Sequence, residues 1–296
     1  MMTSGLDEDD GPGWPSVIDA HQHVWDPREA PADYAWLSGP YAAINRAFSA
    51  QDLRPSLAAA GVDATVLVQT RSSLAESQHF LRLAEATDFI TGVVGWVDLT
   101  APDTADAIAI LRAGAGGHRL AGLRHQVHDE PDPAWLLRPD VLRGLSAVRD
   151  AGLAYDLLVR PRELPAALIL ARAMPDLPFV IDHLGKPPIA SHAIRDWAEL
   201  MAPFGALPNV SCKVSGMVAE ADHAAWALAD LRPYADRALE IFGPDRLLFG
   251  SDWPVCLVAA TYQQVVSTAR ALIAEFTATE QAAIMGGTAT RVYRLG

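Results

Sequence analysis

The sequence predicts a single (β/α)8, TIM-like barrel, and three observations carry that reading. Eight short β-rich apolar runs alternate with longer helix-like segments, and from residue 17 to residue 246 their starts are spaced about 33 residues apart, the length of one strand–helix–strand unit. The runs are apolar almost throughout, as strands of a parallel sheet covered on both faces are. No Gly-x-Gly-x-x-Gly follows the first run, which weighs against the competing open, doubly wound sheet.

Strands are expected at residues 17–20, 64–69, 92–97, 120–124, 153–158, 178–181, 209–213 and 246–249. Between them, residues 51–60 keep apolar side chains on one face and stop at Gly61. Residues 74–86 place Leu74, Phe80, Leu81 and Ala84 at helical spacing. Residues 139–151 end at Gly152, residues 163–174 are followed by Pro175, and helices over 261–276 and 279–285 close the chain. Residues 1–15 read as a flexible acidic tail and residues 16–296 as one barrel domain, since no linker or internal repeat divides them.

Composition narrows the partners. Half of the 296 residues are hydrophobic, which excludes bulk disorder, and a net charge of −13 argues against nucleic acid or an anionic membrane. Two cysteines, Cys212 and Cys256, are too few for a disulfide framework and read as small buried hydrophobes. No apolar run reaches membrane-spanning length and the N-terminus lacks a signal-peptide pattern, so a cytoplasmic protein is expected, with homo-oligomerisation left open. Of the 23 basic residues all but two, Lys186 and Lys213, are arginines.

Barrel active sites sit at the carboxyl ends of the strands, and polar residues collect there. His21-Gln22-His23 ends the first run; residues two apart on an extended segment point the same way, so both imidazoles can approach one cation or one substrate. Two surface histidines in a loop are the competing reading. His183 and Lys186 follow the sixth run, and Asp252, whose bland alternative is a helix cap, follows the eighth. Lys213 lies inside the seventh run and needs water, a carboxylate or an anionic ligand to offset desolvation. Arg71, Arg124 and His125 stand at the ends of the second and fourth runs, where the arginines either hold substrate oxygens or are rim charges. Tyr155 and Trp253 either line the pocket or pack.

Residues 17–26 (VIDAHQHVWD), 182–187 (DHLGKP) and 249–254 (FGSDWP) together resemble the amidohydrolase-related family, in its sugar-lactone hydrolase branch. Residues 95–99 (GWVDL), 122–125 (GLRH), 128–133 (HDEPDP) and 212–216 (CKVSG) support the likeness, as do Gly287-Thr288-Ala289 and Val292-Tyr293. The resemblance implies a distorted barrel of the amidohydrolase superfamily that hydrolyses a sugar-derived lactone, an aldonolactone such as L-fuconolactone. It implies a ligand set of His21, His23, His183 and Asp252 for at most one divalent ion, zinc first, or a site that works without metal. The strand-four position has no lysine and offers His125; the strand-five position offers Tyr155 and Asp156 and no histidine.

On this reading Asp252 is the general base, and His21, His23 and His183 stabilise the oxyanion with or without metal. Trp25, Arg71, Arg124, His125, Tyr155, Lys186, Lys213 and Trp253 are the substrate-binding candidates. Two alternatives stay open: a metal-dependent decarboxylase or other hydrolase of the superfamily, and a non-catalytic sugar-acid-binding barrel.

Overall fold

Eight strands form one parallel sheet in sequence order: β1 (Ile18–Gln22), β2 (Ala64–Val68), β3 (Ile90–Gly95), β4 (Leu120–His125), β5 (Ala154–Leu157), β6 (Phe179–Ile181), β7 (Val210–Val214) and β8 (Leu247–Phe249). The computed structural model describes residues 17–296, so the acidic tail expected over residues 1–15 lies outside the described residues. The helices of the outer layer are α1 (Ala50–Ala60), α2 (Leu74–Glu85), α3 (Thr104–Ala113), α4 (Pro139–Asp150), α5 (Leu164–Ala173) and α6 (Ile194–Met201). They continue with the short α7 (Met217–Glu220), then α8 (Leu228–Phe242), α9 (Tyr262–Leu272), α10 (Ala278–Ala282) and α11 (Thr288–Tyr293).

Local sequence explains the starts. The Ser49 amide and hydroxyl both donate to the Asp52 carboxylate at the head of α1, and on α9 the cap is reciprocal, Thr261 N donating to Gln264 Oε1 and Gln264 N to Thr261 Oγ1. Helices α3, α6 and α8 were not expected. In α3 only Thr104, Ile108 and Leu111 are buried, a stripe too narrow to read against exposed alanines and isoleucine. In α8, Pro233 interrupts the pattern. The helix expected over 279–285 instead passes through a wide turn at Ala283–Gly287 into α11.

Two apolar layers result. The outer one lies between sheet and helices; the inner one holds Ile18, Val66, Val94, Val180 and Leu248, closed from below by Tyr293 and Leu295. Strands β1 and β8 meet through backbone bonds, His23 N to Trp253 O at 2.7 Å and Asp252 N to His21 O at 2.8 Å.

Asp19 clamps this seam. Its buried carboxylate accepts from Ser251 N (2.7 Å), Ser251 Oγ (2.5 Å), Tyr262 OH (3.0 Å) and His21 N (3.1 Å). Burial pushes its pKa up to about 6 although the four donors pull it back. Asp19→Asn puts an amide donor against these donors, and should cost about 1.5–3 kcal/mol, read as a lower urea midpoint at constant m. An unchanged midpoint would show that the clamp is dispensable.

Candidate active site

The carboxyl ends of the strands gather His21, His23, His183 and Asp252, each by a local departure from regular geometry. The β1–β2 register shifts between Asp19 and Gln22. Ala20 faces the inner layer, and the shift lets its neighbour His21 turn inward as well. After β6, His183, Leu184, Gly185 and Lys186 all take positive φ (51°, 54°, 67° and 52°). Such a left-handed turn costs roughly 1–2 kcal/mol per non-glycine residue. It is closed by Lys186 N donating to His183 O at 2.8 Å, and it turns both side chains into one cavity. Asp252 also sits at φ 57°. A Cβ on Gly216 would lie 2.7 Å from His183 Nδ1, and one on Gly250 2.8 Å from His21 Cβ; both glycines are what lets the imidazoles seat.

The four groups converge. His21 Nε2 lies 3.1 Å from His23 Nε2, and Asp252 Oδ1 is 3.5 Å from His23 Nε2 and 3.8 Å from the Nε2 atoms of His21 and His183. Outer atoms are anchored: His23 Nδ1 to Val68 O at 2.8 Å and His183 Nδ1 to Ser215 Oγ at 2.8 Å. Burial, reinforced by Lys213 at His21, holds the pKa values of His21 and His183 well below 6.5, so both rings are neutral. Burial works against the Asp252 carboxylate, but His183, His23 and Lys186 outweigh it and keep its pKa below 3.8. The arrangement is an ionised carboxylate beside the neutral imidazoles of His21 and His183, with the His23 ring adjoining.

Beneath it lies an ionic layer contributed by inward-facing positions of consecutive strands. Arg124 Nη1 donates to Asp182 Oδ2 at 2.9 Å, and its Nη2 donates to Gln69 O at 2.5 Å and Gln69 Oε1 at 2.9 Å. Lys213 Nζ lies 2.6 Å from Asp156 Oδ2 and 2.9 Å from Asp182 Oδ1, and Tyr293 OH reaches Asp156 from below at 2.8 Å. The desolvation of Lys213 is thus met by two carboxylates, and the residue, with no exposed surface, contacts no part of the cavity.

Above the carboxylate opens a cavity of about 210 Å³. Its lining includes the adjoining aromatic rings Trp25, Trp36 and Tyr41 together with the polar Thr70, Gln126, His128, Arg160, Lys186 and Arg124. Burial opposes the Lys186 ammonium, but Glu220 at 2.7 Å outweighs it and raises its pKa above 10.5. Of the substrate-binding candidates, Trp25, Arg124 and Lys186 line the cavity. The others do not. Arg71 turns away to Glu76 (3.2 Å) and Asp33 (3.6 Å). His125 stacks on Trp135 with centroids 4.3 Å apart, and both its nitrogens are taken, by Trp96 and Glu130. Tyr155 is fully buried in the outer layer against Phe179, because its neighbour Asp156 takes the inward position. Trp253 packs edge-on against Phe48 at the barrel seam. Trp36, Tyr41 and Arg160 were not anticipated: they arrive on loops, where no periodicity marks a pocket-facing side chain.

The donor set suits a borderline divalent ion. His21, His183 and Asp252 offer ligand atoms all within 4.8 Å of one another, and His23 Nε2 adjoins them. A second ion meets opposition, since Arg124 Nη1 stands 3.3 Å from His21 Nε2 at the end of β4. Elemental analysis after dialysis against zinc should therefore find no more than one tightly held equivalent per chain. Two would mean that the Arg124 guanidinium swings out of the site.

Comparison with known proteins agrees with this architecture. The chain is 39% identical over 289 residues to an L-fucono-1,5-lactonase of Burkholderia multivorans, covering 94% of this chain and 96% of that protein. It is 41% identical over 245 residues to an L-fucono-1,5-lactonase of Burkholderia ambifaria, covering 83% and 82%. A crystal structure of an amidohydrolase from Burkholderia multivorans with bound zinc superposes with a TM-score of 0.89 at 38% identity, covering 95% of this chain and 99% of that one. The amidohydrolase family model matches residues 18–295, and the chain belongs to that family.

Proposed function

We propose that this protein hydrolyses a sugar-derived lactone to the open acid, with L-fucono-1,5-lactone the first substrate to test. The observation that carries the proposal is the ionised Asp252 carboxylate, 3.5–3.8 Å from three imidazoles at the base of the cavity. The two curated lactonases, similar over most of their length, support the same chemistry. They favour it over decarboxylation: the 5-carboxyvanillate decarboxylase of Sphingomonas paucimobilis, at 17% identity, shares the fold alone. They favour it likewise over a barrel that binds sugar acids without turnover.

Hydrolysis needs an activated water, a stabilised carbonyl oxyanion and a protonated leaving alkoxide. Asp252 takes a proton from water as the oxygen attacks the ring carbonyl. The imidazoles of His21 and His183 face the developing oxyanion. The ring C–O bond then breaks, and the alkoxide takes a proton from Asp252 or from the Lys186 ammonium. Trp25, Trp36 and Tyr41 supply an apolar wall for the C–H face of a sugar ring; Arg124, Lys186 and the other polar side chains of the lining receive its hydroxyls. When a single divalent ion, zinc first, is bound, His21, His183 and Asp252 would hold it and it would polarise the carbonyl. A lactone is already a reactive ester, so a carboxylate base with neutral donors suffices.

Both cysteines are buried free thiols, which supports a reducing compartment such as the cytoplasm, and no helix among the described residues is long and apolar enough to cross a membrane. The test is a pH-indicator screen of aldonolactones with and without chelator. Turnover of L-fucono-1,5-lactone or a close neighbour is expected. No acceleration over background for any sugar lactone, under either condition, would end the proposal.

A further inference from the structure

The far end of the barrel from the imidazoles carries a second cavity, of about 180 Å³, at the amino ends of β3, β4 and β5. Its lining includes Arg112, His118, Arg119 and Arg294 and no acidic side chain. Three of these four cations lack an acidic partner. Arg112 Nη2 donates to the neutral carbonyl of Ala151, and Arg119 and Arg294 make no ion pair or side-chain hydrogen bond among the described residues. Arg119 Nε is buried and without a hydrogen-bond partner. His118 alone of the four has a counter-charge, Glu85 at 3.5 Å. Gly296 borders the cavity as well, and no ion pair joins it to the guanidinia among the described residues.

Local geometry brings the cations together at a cost. Arg294 sits at φ 51°, a left-handed backbone that disfavours any residue with a side chain. Its Nη1 comes within 2.9 Å of the position that a Cβ on Gly152 would take, and Arg112 grips the preceding Ala151, so two guanidinia bear on one turn. Acids outnumber bases in this chain, whose net charge is −13, yet none faces this cavity. Like charges gathered in one cavity repel, and an anion bound among them relieves the repulsion. We propose that this cavity binds a phosphate group, either free phosphate or the monoester of a small metabolite. Guanidinium forks match phosphate oxygens in pairs, and the group carries a charge of about −1.5 to −2 at pH 7, which three unpaired guanidinia can neutralise. The site does not rest on the lactonase reading.

The full chain, stripped of metal by chelator, is titrated by calorimetry with inorganic phosphate and with glycerol 3-phosphate at constant ionic strength. One saturable site with a Kd below about 1 mM is expected for at least one of the two. Arg119→Gln and Arg294→Gln should each weaken it about 10-fold or more, since each removes charge-assisted hydrogen bonds. Arg160→Gln, in the lining of the other cavity, should leave it unchanged. Tighter binding of the ester assigns the site to a phosphorylated metabolite; equal or weaker binding assigns it to free phosphate. No saturation below about 20 mM overturns the proposal. An unchanged Kd in folded Arg119→Gln or Arg294→Gln overturns it too, as does binding lost in Arg160→Gln, which would place the anion in the active-site cavity. Arg294 is exposed, so Arg294→Gln decides the matter even if Arg119→Gln fails to fold.

Discussion

Asp252→Asn is expected to lower kcat for the lactone by about 10²–10⁴-fold in a protein that still folds. The size follows from what remains. The other carboxylate lining the cavity, Asp129, is held by His128 at 3.3 Å and is largely exposed at the rim, so it is not placed to replace the lost base. His21 and His183 are neutral, but the burial that keeps them so also makes them weak bases. Folding should survive because asparagine has the volume of aspartate and tolerates the left-handed backbone at this position (φ 57°) better than most residues. The pH profile gives a second reading of the same group. A carboxyl whose pKa lies below 3.8 stays ionised as pH falls through the ordinary carboxylate range, so the acid limb of kcat/KM should lie below that value. Near-wild-type kcat in the variant would remove Asp252 from the mechanism.

The sequence made the barrel legible because its strands stop where polar residues begin. His21-Gln22-His23, His183 and Asp252 each end an apolar run, and strand ends of a parallel barrel meet at one rim, so their convergence needed no knowledge of the loops. The choice between neighbours was not legible in the same way. In a strand covered on both faces nothing alternates, so nothing in the sequence separates Tyr155, the candidate for the pocket, from its neighbour Asp156. The barrel turns Asp156 inward to Lys213 and buries Tyr155 against Phe179. Lys213 shows how far composition reaches. A lysine in an apolar run demands a counter-charge, but that Asp156 and Asp182 supply it on neighbouring strands is a matter of topology. The left-handed turn was hidden too, since Gly185 is the only one of its four residues that announces positive φ.

Arg124→Met is expected to destabilise the fold by about 3–5 kcal/mol, the usual cost of removing one partner from a buried ion pair. Methionine fills much of the space and removes the charge. Asp182 then keeps Lys213, but Lys213 is already shared with Asp156, so two buried carboxylates are left with one cation. The Gln69 carbonyl and side-chain oxygen lose their donors as well. Lysine would be a poor rescue, because one ammonium does not reproduce a fork that reaches Gln69 and Asp182 together. For a chain of this size the loss corresponds to a fall in Tm of about 6–20 °C. The contrast with a packing effect lies in the double variant. If charge imbalance dominates, Arg124→Met combined with Asp182→Asn should be more stable than the sum of the single losses predicts, by 1 kcal/mol or more on the scale of about 0.5–3 kcal/mol typical of coupled neighbours. Additive losses with a Tm shift of only a degree or two would mean that water reaches the strand-four position and that the ionic layer is not sealed beneath the imidazoles.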